Sequence, residues 1–328
     1  MVIHRLWITL TRSWLRPCCR WSARLMEPVR LTRDLYAEGF VYPEIARLRK
    51  AGEVRALRRG AYSLDPTPPP DVRNSHRELV RATTRALTRD DAVVSHMSAA
   101  VMHDLPLWDA DLSTVHLTCD REGGGRRRHW NFVHVCPLRD DEIVDIGGVR
   151  VTDLARTVVD LSRGLSAFKA VPIGDAALRQ GLDPDVLSKA LARCRGWRGV
   201  VRARRAIAFL DPRSESVGES CSRVRIAEVG LPVPELQVPV FDDRGCFVGR
   251  SDFGWRERRT LGEFDGVGKY GPLRRADQTA EDVVIAEKDR EDALRDQGFQ
   301  VVRWRWDALK DPTILRRKVM RGFERANH

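Results

Sequence analysis

Three acidic residues in the last third of the chain are of a type and spacing that could bind a metal ion. Glu219 falls on a predicted helix, and Asp252 and Glu263 fall on two predicted strands. Carboxylates that come together from several elements are the ligands that Mg²⁺ prefers in proteins. A metal held in this way activates water and stabilises the charge on the leaving oxygen in phosphodiester hydrolysis. The three acids are therefore the candidate catalytic and metal-binding residues.

The elements that must position these acids follow from hydrophobic periodicity and from turn residues. Gly230 and Gly298 are expected to close two helices, and Asp242–Gly245 is expected to join two antiparallel strands. The predicted order is helix, three strands, helix, strand and helix, over 216–229, 236–241, 246–253, 259–264, 281–297, 299–304 and 312–325. We expect a separate α/β domain over 214–328.

This order resembles the PD-(D/E)XK nuclease fold, and residues 214–308 are similar to the domain related to very-short-patch-repair endonucleases. The similar segments are ESCSRVRIAEVGLPVPELQVPV, SDFGW, LGEFDGVGKY and AEKDREDALRDQGFQVVRWRW. The resemblance implies that Asp252 and Glu263 hold the metal, with Glu219 supporting. The implied cofactor of an active enzyme is Mg²⁺ or Mn²⁺.

Two positions depart from the pattern of that superfamily. Ser251 precedes Asp252 where Pro is usual, and Asp265 stands two residues after Glu263 where Lys is usual. Lys269 is the candidate to replace the missing Lys, either by orienting or activating the attacking water or by stabilising the phosphate charge. The alternative is an inactive nuclease fold whose acids only pair with arginines.

Cations in the first compact segment, 26–65, are arranged as in a DNA-binding domain. A predicted helix ends at Gly39 and a second, over 44–50, ends at Gly52, and two short strands follow around Arg58-Arg59-Gly60. Helix, turn, helix and basic hairpin is the order of a winged helix-turn-helix, whose second helix enters the major groove while the hairpin contacts phosphate. The alternative is a small helical cap that packs on the next domain.

The segment YPEIARLRKAGEVRALRRGAYSL resembles the N-terminal domain of AbiEi-type antitoxins, the transcription-repressing partners in abortive-infection toxin–antitoxin systems. A looser similarity continues through SHMSAAVMHDLP, VHLT and VTDLARTVVDL. The resemblance implies sequence-specific DNA binding by Arg47, Lys50, Arg58 and Arg59. It also suggests a role in phage defence or in a toxin–antitoxin system.

Charge and composition narrow the classes of protein. The net charge of +11 lies entirely in residues 1–213, because residues 214–328 carry 21 basic and 21 acidic side chains. A basic front half indicates a polyanionic partner, or else a solvated basic surface. No apolar run is long enough to span a membrane. The seven cysteines include no Cys-x-x-Cys pair, so a thiolate zinc site is not expected and a reducing cytoplasm fits best.

The remaining segments set the predicted domain boundaries. Residues 1–25 are interpreted as a tail or a misassigned start, with an amphipathic membrane-surface helix as the alternative. A middle region over 71–210 ends in a basic stretch, 193–205, which is either a DNA-facing helix or a linker. Four histidines in this region match no zinc spacing, and Arg156 and Asp160 are expected to pair within a helix.

The predicted fold class is a multidomain α+β protein with a winged helix, a mixed middle region and a restriction-endonuclease-like domain. The first hypothesis is a DNA-binding, metal-dependent endonuclease. The second is a repressor or antitoxin-like regulator with an inactive nuclease fold, and the third is an interaction protein of the same operon. The expected partner is DNA, not a membrane, and a homodimer or an operon partner is an open alternative.

Overall fold

The structure of the protein is a computed structural model. It describes residues 29–87, 92–127, 129–266 and 289–326, so the predicted tail 1–25 and the candidate Lys269 lie outside the described residues. The chain divides into two compact units, and both mix helices with strands. Unit 1 contains the described residues up to Val94, with Asp111–Pro137 and Gly147–Val149; unit 2 contains Ser95–Ala110, Leu138–Ile146 and the described residues from Arg150 onward.

Unit 1 begins with two short helices on a three-stranded sheet. Its elements are β1 (Val29–Leu31), α1 (Thr32–Ala37), α2 (Tyr42–Lys50), β2 (Arg55–Arg58) and β3 (Ala61–Ser63). The strand order is β1-β3-β2, and both pairings are antiparallel. Ile45 and Leu48 share the buried face of α2, as their spacing of three residues predicts, and they pack with Leu35, Phe40 and Val54.

Local capping explains where these helices begin and end. The Asp34 carboxylate accepts a hydrogen bond from the Leu31 backbone N–H at 3.0 Å, and Glu44 accepts one from Val41 at 3.0 Å. These bonds satisfy amide groups that have no partner within the helix. Gly39 and Gly52 follow the two helices with φ of +88° and +72°, a left-handed conformation that glycine adopts without strain.

The rest of unit 1 is a long helix and a second group of strands. These elements are α3 (Val72–Arg85), β4 (Ala92–Val94), β5 (Val115–Cys119), β6 (Arg126–Arg127) and β7 (Asn131–Val135). Within unit 1 the strands pair in the order β6-β7-β5-β4. Asp71 caps α3 by accepting a hydrogen bond from the Asn74 backbone N–H at 2.7 Å.

The first part of unit 2 is mostly helical. Its elements are α4 (His96–Met102), the antiparallel hairpin β8 (Ile143–Asp145) and β9 (Arg150–Thr152), α5 (Leu154–Gly164), α6 (Ala167–Arg179), α7 (Pro184–Arg193) and α8 (Val200–Ile207). Arg156 is 1% exposed and pairs with Glu142 and Asp160 at 2.9 Å each. The predicted pairing of Arg156 with Asp160 is therefore confirmed.

The second part of unit 2 is a four-stranded sheet with helices against it. Its elements are α9 (Val217–Glu228), β10 (Glu235–Phe241), β11 (Phe247–Trp255), β12 (Thr260–Phe264), β13 (Gln300–Trp304), α10 (Trp306–Lys310) and α11 (Pro312–Ala326). The strand order is β10-β11-β12-β13, with two antiparallel pairings followed by a parallel one. Residues 289–296 are helical, and Leu294 packs with Leu261 of β12.

Most predicted elements are present in the predicted order, with ends that differ by a few residues. Strands β1, β4, β6, β8 and β9 and helices α6, α7 and α10 were not predicted. The basic stretch 193–205 is partly helical, since it includes the start of α8. Residues 71–210, predicted as one middle region, are distributed over both units.

Among the described residues, every helix is too short or too polar to span a lipid bilayer.

Candidate functional site

The pairing of β11 with β12 brings Asp252 beside Glu263. Phe253 pairs with Gly262, so the preceding residue of one strand lies opposite the following residue of the other. Opposed residues of antiparallel strands project from the same face of a sheet. The Phe264 backbone N–H donates a hydrogen bond to Asp252 Oδ2 at 2.9 Å, which fixes this carboxylate at the end of β12.

The row of polar residues extends to the outer strands of the sheet. Glu263 pairs in parallel register with Arg303 of β13. On the other side, Gln237 of β10 lies opposite Asp252, because its neighbours Leu236 and Val238 pair with Phe253 and Ser251. Sequence reasoning did not identify Gln237 or Arg303, because only the strand register shows that they adjoin the acids.

Glu219 is held at the start of α9 by backbone and side-chain hydrogen bonds. Its Oε2 accepts from the Glu215 backbone N–H at 2.8 Å and from Gln237 Nε2 at 2.7 Å, and the residue is 7% exposed. Gln237 has a φ of +52°, which is strained for a residue with a side chain. Such strain is typical of functional positions, and here it accompanies the hydrogen bond that links the row to α9.

The close approach of α9 to the sheet depends on a glycine next to Glu219. A Cβ atom on Gly218 would lie 1.9 Å from a ring carbon of Phe264, the last residue of β12. Ser216 begins the helix by accepting a hydrogen bond from the Glu219 backbone N–H at 3.1 Å. The short side chains at this helix start therefore bring Glu219 to the strand end that carries Asp252 and Glu263.

Two arginines hold Glu263. Arg290 Nη2 lies 2.8 Å from Oε1 and Arg303 Nε lies 3.0 Å from Oε2, while the Glu263 side chain is 9% exposed. Arg303 also pairs with Glu291 at 3.1 Å. The guanidinium groups supply the positive charge that a carboxylate needs when it is removed from water.

The carboxylates fit a divalent cation in type, but the arginines compete for one of them. Among the described residues, Glu219, Asp252 and Glu263 do not form a cluster in which one oxygen of each lies within 4.8 Å of the others. Asp265, at the usual Lys position, accepts a hydrogen bond from Arg305 Nε at 2.7 Å. Binding of Mg²⁺ or Mn²⁺ at Glu263 would therefore have to displace or rearrange its arginine partners.

The candidate DNA-binding residues in unit 1 differ in exposure. Arg47, Lys50 and Arg59 are exposed, and none has a hydrogen bond or ion pair from its side chain to another described residue. Arg58 is half-buried, and its Nε and Nη2 each lie 3.4 Å from the Ala82 carbonyl oxygen of α3. Burial also lowers the pKa of the Arg58 guanidinium.

Unit 1 also contains a pair of histidines on neighbouring strands. His116 Nδ1 lies 3.0 Å from His134 Nε2, so one of the two rings donates a hydrogen bond to the other. Burial, followed by the nearby His76 and Arg127, lowers the pKa of His116 to about 4. His116 is therefore neutral near pH 7.

Comparison with known proteins identifies relatives without a described activity. No family model matches the chain. Over 184 residues it is 32% identical to the uncharacterized proteins MT2308 and Rv2248 of Mycobacterium tuberculosis, strains CDC 1551 / Oshkosh and ATCC 25618 / H37Rv. The matched region is 55% of this chain and 64% of each relative, so the chain spans less than two thirds of the length of these relatives.

Among solved structures, the chain is similar to the crystal structure of the RV2827C protein from Mycobacterium tuberculosis. The TM-score is 0.39 and the sequence identity 14%, over 67% of this chain and 85% of that chain.

Proposed function

We propose that the protein binds DNA through unit 1 and hydrolyses DNA phosphodiester bonds at the acidic row of unit 2, in a reaction that depends on Mg²⁺ or Mn²⁺. The observation that carries this proposal is the placement of Asp252 directly beside Glu263, with Glu219 brought to the same strand ends by α9. The strand and helix order around the row supports a nuclease-like domain.

Each residue of the row has a role in the proposed reaction. Asp252 and Glu263 would hold the cation, with Glu219 supporting through Gln237. When bound, the cation would lower the pKa of a water molecule and stabilise the leaving oxygen. Arg290 and Arg303 both lie next to Glu263. They could bind the scissile phosphate there instead of the carboxylate, because a guanidinium forms the same paired hydrogen bonds with either group.

DNA binding by unit 1 is supported by its element order and by its unpaired cations. Strand β1, helices α1 and α2 and the β2–β3 hairpin follow one another as in a winged helix, and Arg47 and Lys50 lie three residues apart on the exposed side of α2. Residues three apart on a helix share a face, so both can reach the same stretch of duplex. Arg59 extends the basic surface at the hairpin turn.

A second candidate function has an observation of its own in its favour. The pairing of Glu263 with Arg290 and Arg303 is what an inactive nuclease fold would retain, since it neutralises the acid without a metal. In that case the protein is a DNA-binding regulator of the repressor or antitoxin type, and the four-stranded sheet of unit 2 only supports the fold.

Nicking of supercoiled plasmid by the full chain separates the two candidates. We expect nicking in Mn²⁺ or Mg²⁺ that is lost on chelation and in Asp252→Asn and Glu263→Gln. The matched control is Asp243→Asn, which removes an exposed carboxylate from the turn between β10 and β11 and should leave nicking unchanged. Nicking by all variants would indicate a contaminating nuclease, and no nicking by the wild type with DNA binding intact would favour the regulator.

The DNA-binding part of the proposal has its own test. Arg47→Ala with Lys50→Ala should weaken binding to duplex DNA, and each substitution should reduce the salt dependence of the affinity by about one phosphate contact. Arg49→Ala is the matched control, because this exposed residue lies on a different side of α2. A wild-type chain that binds no DNA at low salt would overturn both candidate functions.

A further inference from the structure

A segment of unit 2 carries basic side chains without any acidic ones. Residues 186–210 include no Asp or Glu, and they cover most of α7, the connection after it and all of α8. The seven basic residues are Lys189, Arg193, Arg195, Arg198, Arg202, Arg204 and Arg205.

Several arginines elsewhere in unit 2 are built into its structure, whereas most of those in this segment are not. Arg156 binds two buried carboxylates, and Arg223 pairs with the buried Asp175 at 2.9 Å. Within the segment, Arg193 pairs with Asp141 at 3.0 Å and Arg202 donates to the Gly164 carbonyl oxygen at 3.2 Å. The other five side chains are exposed and make no hydrogen bond or ion pair to described residues.

Two of these unpaired arginines line one groove. Arg195 and Arg204 lie around a groove of about 550 Å³ whose other lining residues are Ser188, Leu191 and Ala192 of α7. The groove therefore offers two guanidinium groups and a hydroxyl group above a small apolar floor. Guanidinium and hydroxyl groups are the side chains that proteins use most to bind phosphate oxygens.

The segment that carries Arg195 and Arg204 packs against the helical core of unit 2. α8 buries Ala203 and Ala206, and Cys194 belongs to the helical core. Gly199 precedes α8 with a φ of +85°, and a Cβ atom there would lie 2.4 Å from the Arg163 carbonyl oxygen of α5. This close approach requires glycine and holds the start of α8 against α5, so that α8 presents Arg204 from a rigid element.

We infer that the groove between α7 and α8 binds the phosphate backbone of duplex DNA, as a second contact in addition to the basic surface of unit 1. The inference rests on the proposed DNA binding and extends it to unit 2. We assign the contact to the phosphate backbone, which is the same in every sequence, because exposed arginine and hydroxyl groups in protein–DNA complexes bind phosphate more often than bases. The contribution of the groove should therefore be the same for duplexes of different sequence.

The test is the salt dependence of duplex binding by the full chain, measured by fluorescence anisotropy in about 50 to 200 mM salt. Arg195→Ala with Arg204→Ala should lower the slope of log affinity against log salt by about 2, since each lost phosphate contact accounts for about 0.9. Over that fourfold range of salt, the wild type should lose about tenfold more affinity than the double variant. Two unrelated duplexes should give the same difference.

Two controls separate a groove from a general effect of charge. Arg195→Lys with Arg204→Lys keeps both charges and should restore the slope. Arg316→Ala with Arg317→Ala removes two exposed arginines from α11 of the same unit and should leave the slope close to that of the wild type. An equal decrease in this control would show that net charge alone is responsible and would overturn the inference.

The outcomes also distinguish this inference from the proposed function. An unchanged slope in the double alanine variant, together with weaker binding in Arg47→Ala with Lys50→Ala, would refute the groove and keep DNA binding by unit 1. No binding by the wild type would refute the proposed function itself. A slope change seen with RNA duplexes but not with DNA would overturn the choice of DNA as the partner.

Discussion

The sheet of unit 2 and the helix pair of unit 1 use charged residues in opposite ways. In the sheet, Glu263 is 9% exposed and each of its oxygens faces an arginine. On α2, Arg47 and Lys50 project into solvent without a partner among the described residues. A paired, buried charge contributes to the fold and is costly to remove, whereas an unpaired, exposed charge is free to bind a ligand. The difference separates side chains that hold the protein together from those that are available to a partner such as the proposed DNA.

The largest expected effect comes from removing Glu263, the paired and buried charge in this comparison. Removing one partner of a buried ion pair costs about 3–5 kcal/mol, and the partial exposure of Arg290 and Arg303 brings the expected loss for Glu263→Ala to about 3 kcal/mol. Urea denaturation followed by tryptophan fluorescence measures this loss. The exposed Glu257→Ala should change stability by less than about 0.5 kcal/mol. If the two variants were equally stable, the ion pairs of Glu263 with Arg290 and Arg303 would not contribute to stability.

Gly218 tests whether the approach of α9 to the sheet is as close as described. Its Cβ atom in Gly218→Ala would collide with Phe264, and such overpacking costs about 1–3 kcal/mol. The control is Gly164→Ala at the end of α5, where the added Cβ atom meets nothing within 4 Å. Thermal denaturation compares the two variants, and a wild-type midpoint for Gly218→Ala would mean that α9 lies further from β12.

His116 tests whether burial in unit 1 disfavours the charged form of a side chain. Its pKa is lowered from 6.5 to about 4 in the folded protein, so its stabilising contribution is present above pH 6.5 and is lost as pH falls toward 4. Between pH 6.5 and 5 the loss should be about 2 kcal/mol, since one pKa unit corresponds to about 1.4 kcal/mol.

The measurement is the free energy of unfolding as a function of pH for the wild type and His116→Gln. The variant should lose less stability on acidification, because Gln does not titrate. His129→Gln, at an exposed position, should keep the wild-type dependence. If His116→Gln kept it as well, titration of His116 would not be its source.

The smallest expected effects separate two neighbouring arginines of the hairpin. Arg58→Ala should cost about 1 kcal/mol of stability, because its guanidinium packs on α3 and donates to the Ala82 carbonyl oxygen. Arg59→Ala should leave stability unchanged but lower the salt dependence of DNA binding by about one phosphate contact. The opposite result would exchange the structural and DNA-binding roles of the two residues.

Much of the local structure follows from the sequence because local signals are strong there. Ile45 and Leu48 mark the buried face of α2, Gly39 and Gly52 mark the helix ends, and the turn before Cys246 separates two alternating strands. The order around β10 to β13 was predicted for the same reason. Strand β1 was not predicted, because three residues carry too little periodic signal.

The sequence predicted the acids of the candidate site but not the residues that surround them. Glu219, Asp252 and Glu263 could be named from residue type and spacing, and Asp252 and Glu263 do lie side by side. Their partners Gln237 and Arg303 come from the outer strands, and no spacing in the sequence identifies them. Arg58 and Arg59 are likewise indistinguishable in the sequence, since both are arginines in one basic hairpin.

The sequence by itself determined many of the helices and strands, the segments where the basic charge accumulates and the acids that are available for chemistry. These properties depend on side-chain type and on neighbours within a few positions, so they can be predicted from the sequence. The tertiary structure decided which charges are paired and which remain exposed. Pairing depends on strand register and helix packing between residues far apart in sequence, as for Glu263 and Arg303, which lie 40 positions apart.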